Sequence, residues 1–170
     1  MAPKKLFNRN INYNITLNMK IISISLIVTL VTTSVFSDEK KSVQKIELSA
    51  VGNPPGTMKF AKAEISAKVG TIELDFKNPD VLQHNILILK PNTKDKVGAL
   101  ADAMLTDPEA MKKHYVPDSK DIISASKLIN PGGSEKIVFK IDKPGTYPII
   151  CTFPGHWRLM NSILKVTESN

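Results

Sequence analysis

The sequence predicts an all-β fold, a sandwich or barrel of many short strands, with a helical insert around residues 93–116. Three observations carry this. Several stretches alternate apolar and polar residues with period two, as a strand with one buried face requires. Clusters of Pro, Gly and Asn separate them. One segment abandons period two, and its apolar residues recur at helical spacing.

In chain order, Ile46-Glu-Leu48-Ser-Ala50 is the first alternating stretch, and Gly52-Asn-Pro-Pro-Gly56 turns the chain after it. Ala63-Glu-Ile65-Ser-Ala67 and Ile72-Glu-Leu74-Asp-Phe76 alternate more clearly, and Asn78-Pro-Asp80 ends the second. Ile86 to Leu89 is a continuous apolar run, as expected of a central strand covered on both faces. From Thr93 to His114 the composition shifts to Ala, Lys, Asp, Leu and Met, with Val97, Leu100, Ala101 and Met104 at helical spacing. Asp107-Pro-Glu109 resembles a second helix start with Pro in the first turn, so the insert holds one or two helices. Asn130-Pro-Gly-Gly133 and Lys143-Pro-Gly145 bracket the alternating Ile137-Val-Phe139-Lys-Ile141. Ile149-Ile150 is a second short apolar run, and Ile163-Leu-Lys-Val166 is the last strand.

A length of 170 residues suggests one main domain plus an additional segment, and that segment lies at the front. Residues 21–36 are apolar or hydroxylated and carry no charge, Lys4, Lys5, Arg9 and Lys20 precede them, and Val35 and Ser37 suit the −3 and −1 positions of a cleavage site. A basic start, a short apolar centre and a small-residue exit describe a secretory signal over residues 1–37, with 38–170 as the mature domain. Met19 as the true start would give a more compact signal. The expected location is periplasmic or otherwise exported; the alternative is an uncleaved membrane anchor. No Cys lies near the cleavage point, which excludes a lipoprotein anchor.

The net charge of +7 is partly a property of this leader, which holds four of the 23 basic residues and none of the 16 acidic ones. The mature part retains 19 basic against 16 acidic residues, too mild an excess to imply a nucleic-acid partner. Cys151 is the single cysteine, so no internal disulfide can form. A lone Cys in an exported protein is free, pairs between molecules, or is held by a metal.

The surroundings of Cys151 favour the metal. Cys151-Thr-Phe-Pro-Gly-His156-Trp-Arg-Leu-Met160 places a thiolate, an imidazole and a thioether on one short loop, and His84 stands upstream in Val-Leu-Gln-His-Asn. One Cys, two His and a Met form the soft, mixed donor set of a one-electron copper site. Pro154-Gly155 tightens the loop so that Cys151 and His156 can converge. His114, in the helical insert, reads as a surface residue, which leaves His84 as the second imidazole.

The segment Tyr147-Pro-Ile-Ile-Cys151-Thr-Phe-Pro-Gly-His156-Trp-Arg-Leu-Met160 resembles the copper loop of azurins, in the azurin/plastocyanin (cupredoxin) family. Gln83-His84-Asn85 is similar to that family's first-ligand segment, and Met58-Lys-Phe60 and Ser124 to Ile129 are also azurin-like, so the resemblance spans most of residues 43–167. It implies a Greek-key β-sandwich carrying one copper (Cu+/Cu2+) per chain. His84, Cys151 and His156 would be the strong ligands and Met160 a weak axial one. Azurins place Gly before the first His, with its carbonyl near the metal; here Gln83 offers that carbonyl, so four or five copper neighbours both fit. Asn85 would tie the first-ligand strand to the Cys loop, and the Phe153 N–H would donate to the Cys151 sulfur. Phe153 and Phe60 would exclude water or belong to the core.

The function implied is that of a mobile single-electron carrier, not an enzyme. Its partners would be redox proteins such as c-type cytochromes or membrane or soluble oxidoreductases, met by a monomer through an apolar patch at His156 with Trp157 and Leu159; the alternative for Trp157 is a place in the core. A copper enzyme such as an oxidase or nitrite reductase needs a second copper centre with several more histidines than the three present. A Cys–His hydrolase lacks an evident orienting partner. A copper carrier or storage protein of the cell envelope is the alternative.

Overall fold

The computed structural model describes residues 43–169. The predicted leader, residues 1–37, lies outside them. Among the described residues there are eight strands in two sheets. The first sheet holds β1 (Gln44–Ser49), β3 (Gly70–Lys77) and β6 (Ser134–Ile141), in the order β1-β3-β6. The second holds β2 (Glu64–Lys68), β4 (Leu87–Leu89), β5 (Ile122–Ala125), β7 (Gly145–Ile150) and β8 (Asn161–Thr167), in the order β2-β8-β7-β4-β5. The pairs β1–β3 and β2–β8 are parallel, and the remaining pairs are antiparallel.

The period-two stretches bury the residues that the pattern selects. Ile72, Leu74 and Phe76 of β3 are fully buried, while Thr71, Glu73 and Asp75 between them stay partly exposed. They form one apolar core with Ile137, Phe139 and Ile141 of β6 and with Ile65, Ile88, Ile149 and Leu164 from the second sheet. Each such side chain contributes about 1.5–3 kcal/mol relative to exposure, so the alternation itself drives the two sheets together. Cys151 and Met160 belong to this same core.

The continuous apolar runs have a different cause. Leu87, Leu89 and Ile150 form a second cluster with Val97, Ala101 and Trp157. Helix α1 (Lys94–Ala103) therefore covers the outer face of the second sheet at β4 and β7. Both faces of β4 are buried, so it shows no alternation.

The insert holds one of the one or two helices expected, and two details differ from the sequence reading: the Asp107 start signal leads to no second helix, and one strand is additional. A single-turn 3₁₀ segment (Met104–Thr106) follows α1, and residues 108–115 then form consecutive turns, not a second helix. The start signal is present, since Asp107 Oδ1 accepts the Glu109 N–H at 2.8 Å and the Lys113 N–H reaches the Glu109 carbonyl at 2.9 Å. His114 and Tyr115 then adopt left-handed φ of 54° and 56° and end the turn, before enough bonds form to offset helix nucleation. The second difference is β5, which the reading did not include. All four of its residues are half-buried, so it carries no alternating signature.

Candidate metal centre

The second sheet delivers the two halves of the site to one end. His84 forms an isolated antiparallel bridge with Ile129, its N–H donating at 3.2 Å and its carbonyl accepting at 2.8 Å. Cys151 follows the last residue of β7, and Met160 precedes the first residue of β8. The connecting loop is closed by its own backbone. The Cys151 N–H donates to the Met160 carbonyl at 3.1 Å, the Met160 N–H to the His156 carbonyl at 2.7 Å, and the His156 N–H to the Phe153 carbonyl at 2.9 Å. Gly155 sits at φ +79°, a left-handed conformation that costs other residues about 1–2 kcal/mol.

These constraints bring three donor atoms together. The ligand atoms of His84, Cys151 and His156 all lie within 4.8 Å of one another. Each histidine Nδ1 is 3.7 Å from the Cys151 sulfur, and the two rings are 5.0 Å apart, centroid to centroid. His84, Cys151 and Met160 are fully buried and His156 is 3% exposed. Met160 is fixed to Cys151 through its backbone, and its thioether lies in the same core. The Gln83 side chain turns away to donate to Asn130 Oδ1 at 2.6 Å.

The donor set fits a soft cation. Burial pushes the Cys151 thiol up to about 12, although the backbone N–H groups of Asn85 and Phe153 point at the sulfur and oppose this. The Phe153 donor is the one expected from sequence; the Asn85 N–H is additional. A thiol held so high is neutral at pH 7, and a bound cation is what would stabilise the thiolate. Burial and the neighbouring His84 lower His156 to about 4, against an opposing pull from Asp80, so His156 is a neutral imidazole with a free lone pair.

Behind His84 stands a residue that sequence reasoning did not single out. Asp80 Oδ2 lies 3.0 Å from His84 Nε2, and both side chains are fully buried. Its other oxygen accepts the N–H groups of Gly56 and Val81, each at 2.7 Å. Burial raises the Asp80 pKa, but these N–H groups and His84 outweigh it, and the net direction is downward. The only trace in the sequence was a carboxylate four residues before a histidine, inside a turn signal.

Asn85 performs its expected tie and extends it. Its Oδ1 accepts the Thr152 N–H at 2.7 Å, and its Nδ2 donates to Thr152 Oγ1 at 2.9 Å and to the His114 carbonyl at 2.7 Å. Thr152 Oγ1 in turn donates to the Tyr115 carbonyl at 2.7 Å. The left-handed corner at residues 114 and 115 therefore aims two carbonyls at the site. His114, half-buried, contributes through its backbone. Phe153 packs against the His156 ring at 4.9 Å with Tyr115 beside it at 5.6 Å, whereas Phe60 belongs to the core against Phe76.

Trp157 is not on an apolar docking surface. It is buried in the cluster beneath α1, and its Nε1–H donates to Asp102 Oδ1 at 2.9 Å. A Cβ on Gly98 would fall 2.4 Å from its ring, so the indole occupies the space that a side chain would fill. Arg158 lies over the indole at 4.2 Å and also pairs with Asp102, which holds that carboxyl below its ordinary range. Leu159, by contrast, is 59% exposed.

Comparison with known proteins agrees with this geometry. The family described as copper binding proteins, plastocyanin/azurin family, matches residues 47–167. Auracyanin-A of Chloroflexus aurantiacus is 32% identical over 119 residues, covering 68% of this chain and 72% of that protein. Auracyanin-B of the same organism is 33% identical over 136 residues, covering 73% of this chain but only 52% of the relative, so the chain spans about half of that protein's length. Azurin-1 of Alcaligenes xylosoxydans xylosoxydans is 32% identical over 124 residues, 65% of this chain and 91% of that protein. The solved structure of auracyanin A, titled a "blue" copper protein, superimposes with a TM-score of 0.65 at 32% identity, covering 74% of this chain and all of that one. An azurin from Methylomonas, 20% identical with a TM-score of 0.62, shares the fold. With a matching profile over most of its length and a buried His–Cys–His cluster suited to one copper, this chain belongs to the plastocyanin/azurin family of copper-binding proteins.

Proposed function

We propose that the protein is a mobile single-electron carrier with one copper held by His84, Cys151 and His156, and by Met160 as a weak axial ligand. The observation that supports this most is the convergence of two Nδ1 atoms and one sulfur, within 4.8 Å, in a closed site at one end of the sandwich. Copper bound there would supply a one-electron couple with an intense blue thiolate-to-Cu(II) absorption. The chain's own task is to keep its donors still. His84 and Cys151 are set by β hydrogen bonds, the Asn85–Thr152 network locks one to the other, and Phe153 shields His156 from water. Donors that do not rearrange between charge states keep the barrier to electron exchange low. The test is addition of Cu(II) to the purified protein: one tightly held copper per chain and an intense blue colour are expected. A colourless protein with exchangeable Cu(I) would instead make it a copper carrier.

Met160 then tunes the site without being required for it. Met160→Leu is expected to keep the copper and raise the potential, because a weak donor to Cu(II) is lost. Met160→Gln is expected to lower it, because an amide oxygen favours Cu(II). Voltammetry giving one potential for all three proteins would contradict an axial role.

Exposed Leu159, beside the more open of the two imidazoles, supports docking of redox partners at the His156 loop, with c-type cytochromes and membrane or soluble oxidoreductases as candidates. Leu159→Glu is expected to slow electron exchange with such a partner, since a charge at the contact must be desolvated, while the visible spectrum stays unchanged. Stopped-flow rates equal to wild type at equal potential would remove Leu159 from the contact. The basic and apolar leader supports export with cleavage after Ser37. N-terminal sequencing of the protein from its host should begin at Asp38, and an intact N-terminus would make the leader an anchor.

A further inference from the structure

Among the described residues, Asp80 is the one carboxylate buried against the site, and the electron-transfer reading assigns it no role. Its oxygens meet three donors: the Gly56 N–H and the Val81 N–H at 2.7 Å on Oδ1, and His84 Nε2 at 3.0 Å on Oδ2. Asn78 Oδ1 accepts the Asp80 N–H at 3.1 Å, which holds the backbone in turn. A carboxylate has acceptor sites only, so it is satisfied by this arrangement, and it requires the proton of His84 to sit on Nε2. Nδ1, the nitrogen 3.7 Å from the Cys151 sulfur, is then left with its lone pair facing the ligand cluster.

We propose that Asp80 is a positioning residue for the copper, fixing His84 in its metal-accepting tautomer and holding the reduction potential down by placing a negative charge behind that imidazole. The inference rests on the copper reading of the site. A carboxylate bonded to the far nitrogen raises the basicity of an imidazole ligand. A more basic ligand, with a negative charge behind it, stabilises Cu(II) more than Cu(I). The segment around Gly56 is tied into the same carboxylate, so the 52–58 turn and the copper histidine share one anchor.

Two substitutions separate positioning from mere structural support. In Asp80→Asn the amide oxygen can keep both backbone N–H bonds, but its NH₂ faces His84 Nε2 and favours the tautomer with the proton on Nδ1. In Asp80→Ala the backbone bonds are lost, but nothing opposes the metal-accepting tautomer. We expect both variants to raise the potential, by about tenfold in the Cu(I):Cu(II) ratio at fixed ambient potential, or about 59 mV for one electron. We expect Asn to weaken Cu(II) binding about 10–100-fold, and more than Ala does. A purely structural Asp80 predicts the reverse order, Asn milder than Ala, with the potential unmoved; that result would overturn the proposal. If neither variant folds, nitrogen-15 NMR of the histidines in the copper-free wild-type protein decides, since a His84 proton on Nε2 supports the proposal and one on Nδ1 overturns it. A wild-type protein that takes up no copper would fail the electron-transfer reading alone, and the tautomer would still be read.

Discussion

Cys151→Ser is expected to abolish the blue absorption completely and leave the domain folded. With copper bound, the thiolate would be the source of the charge-transfer band and the anionic member of the cluster, and an alcohol does not ionise in its place. The fold should tolerate the change, because serine is similar in size and its Oγ can accept the N–H groups of Asn85 and Phe153 that point at the sulfur. A loss of about 1 kcal/mol would lower the melting temperature of the copper-free protein by only about 4 °C at this size. The copper-loaded wild type should melt higher than its copper-free form, since a metal that binds the native state alone stabilises it. The Ser variant should show no such gain. A variant that stayed blue would remove Cys151 from the ligand set.

Trp157→Ala is expected to be among the most destabilising single changes outside the His84–Cys151–His156 cluster. The indole is buried under α1, fills the space above Gly98 and donates to Asp102. Truncating a buried Trp costs about 3–5 kcal/mol, a large share of the 5–15 kcal/mol that holds an ordinary domain together. Its neighbour in sequence is His156, so loss of the anchor also frees the loop between Cys151 and Met160. Urea unfolding of the copper-free protein and the rate of copper loss to a chelator should both show the effect. Gly98→Ala approaches the same contact from the helix side, because its methyl would meet the ring at 2.4 Å, and it should reproduce part of the loss with Trp157 in place. Wild-type unfolding and copper retention in Trp157→Ala would mean that α1 does not brace the loop. The Asp102–Arg158 ion pair over the indole is exposed and adds little by comparison.

The strands and the candidate donor residues were legible in the residues because each left a local trace. Ile72, Leu74 and Phe76 alternate with polar partners because one face of β3 meets the core, and pleating repeats every two residues. Cys151, His156 and Met160 lie within ten residues, so their spacing alone carries a donor set. Even His84, remote in sequence, was recoverable because the chain has so few histidines. What left no trace depends on contacts between distant segments. Strand β5 is half-buried throughout and shows no period, and the Asp107 start signal leads to turns because a left-handed corner at His114 and Tyr115 ends it within one turn. Trp157 could be read as surface apolar area or as core, and only α1, some 55 residues upstream and lying over it with Gly98 and Asp102 in position, decides for the core. Asp80 looked like a turn residue, and only the folding of its loop beneath His84 turned a solvated carboxylate into a buried acceptor for the imidazole of the His–Cys–His cluster. Local pattern reports which face of an element is apolar and which donors a loop carries, but burial and hydrogen-bond partners are properties of pairs, and pairs exist only once the chain has closed on itself.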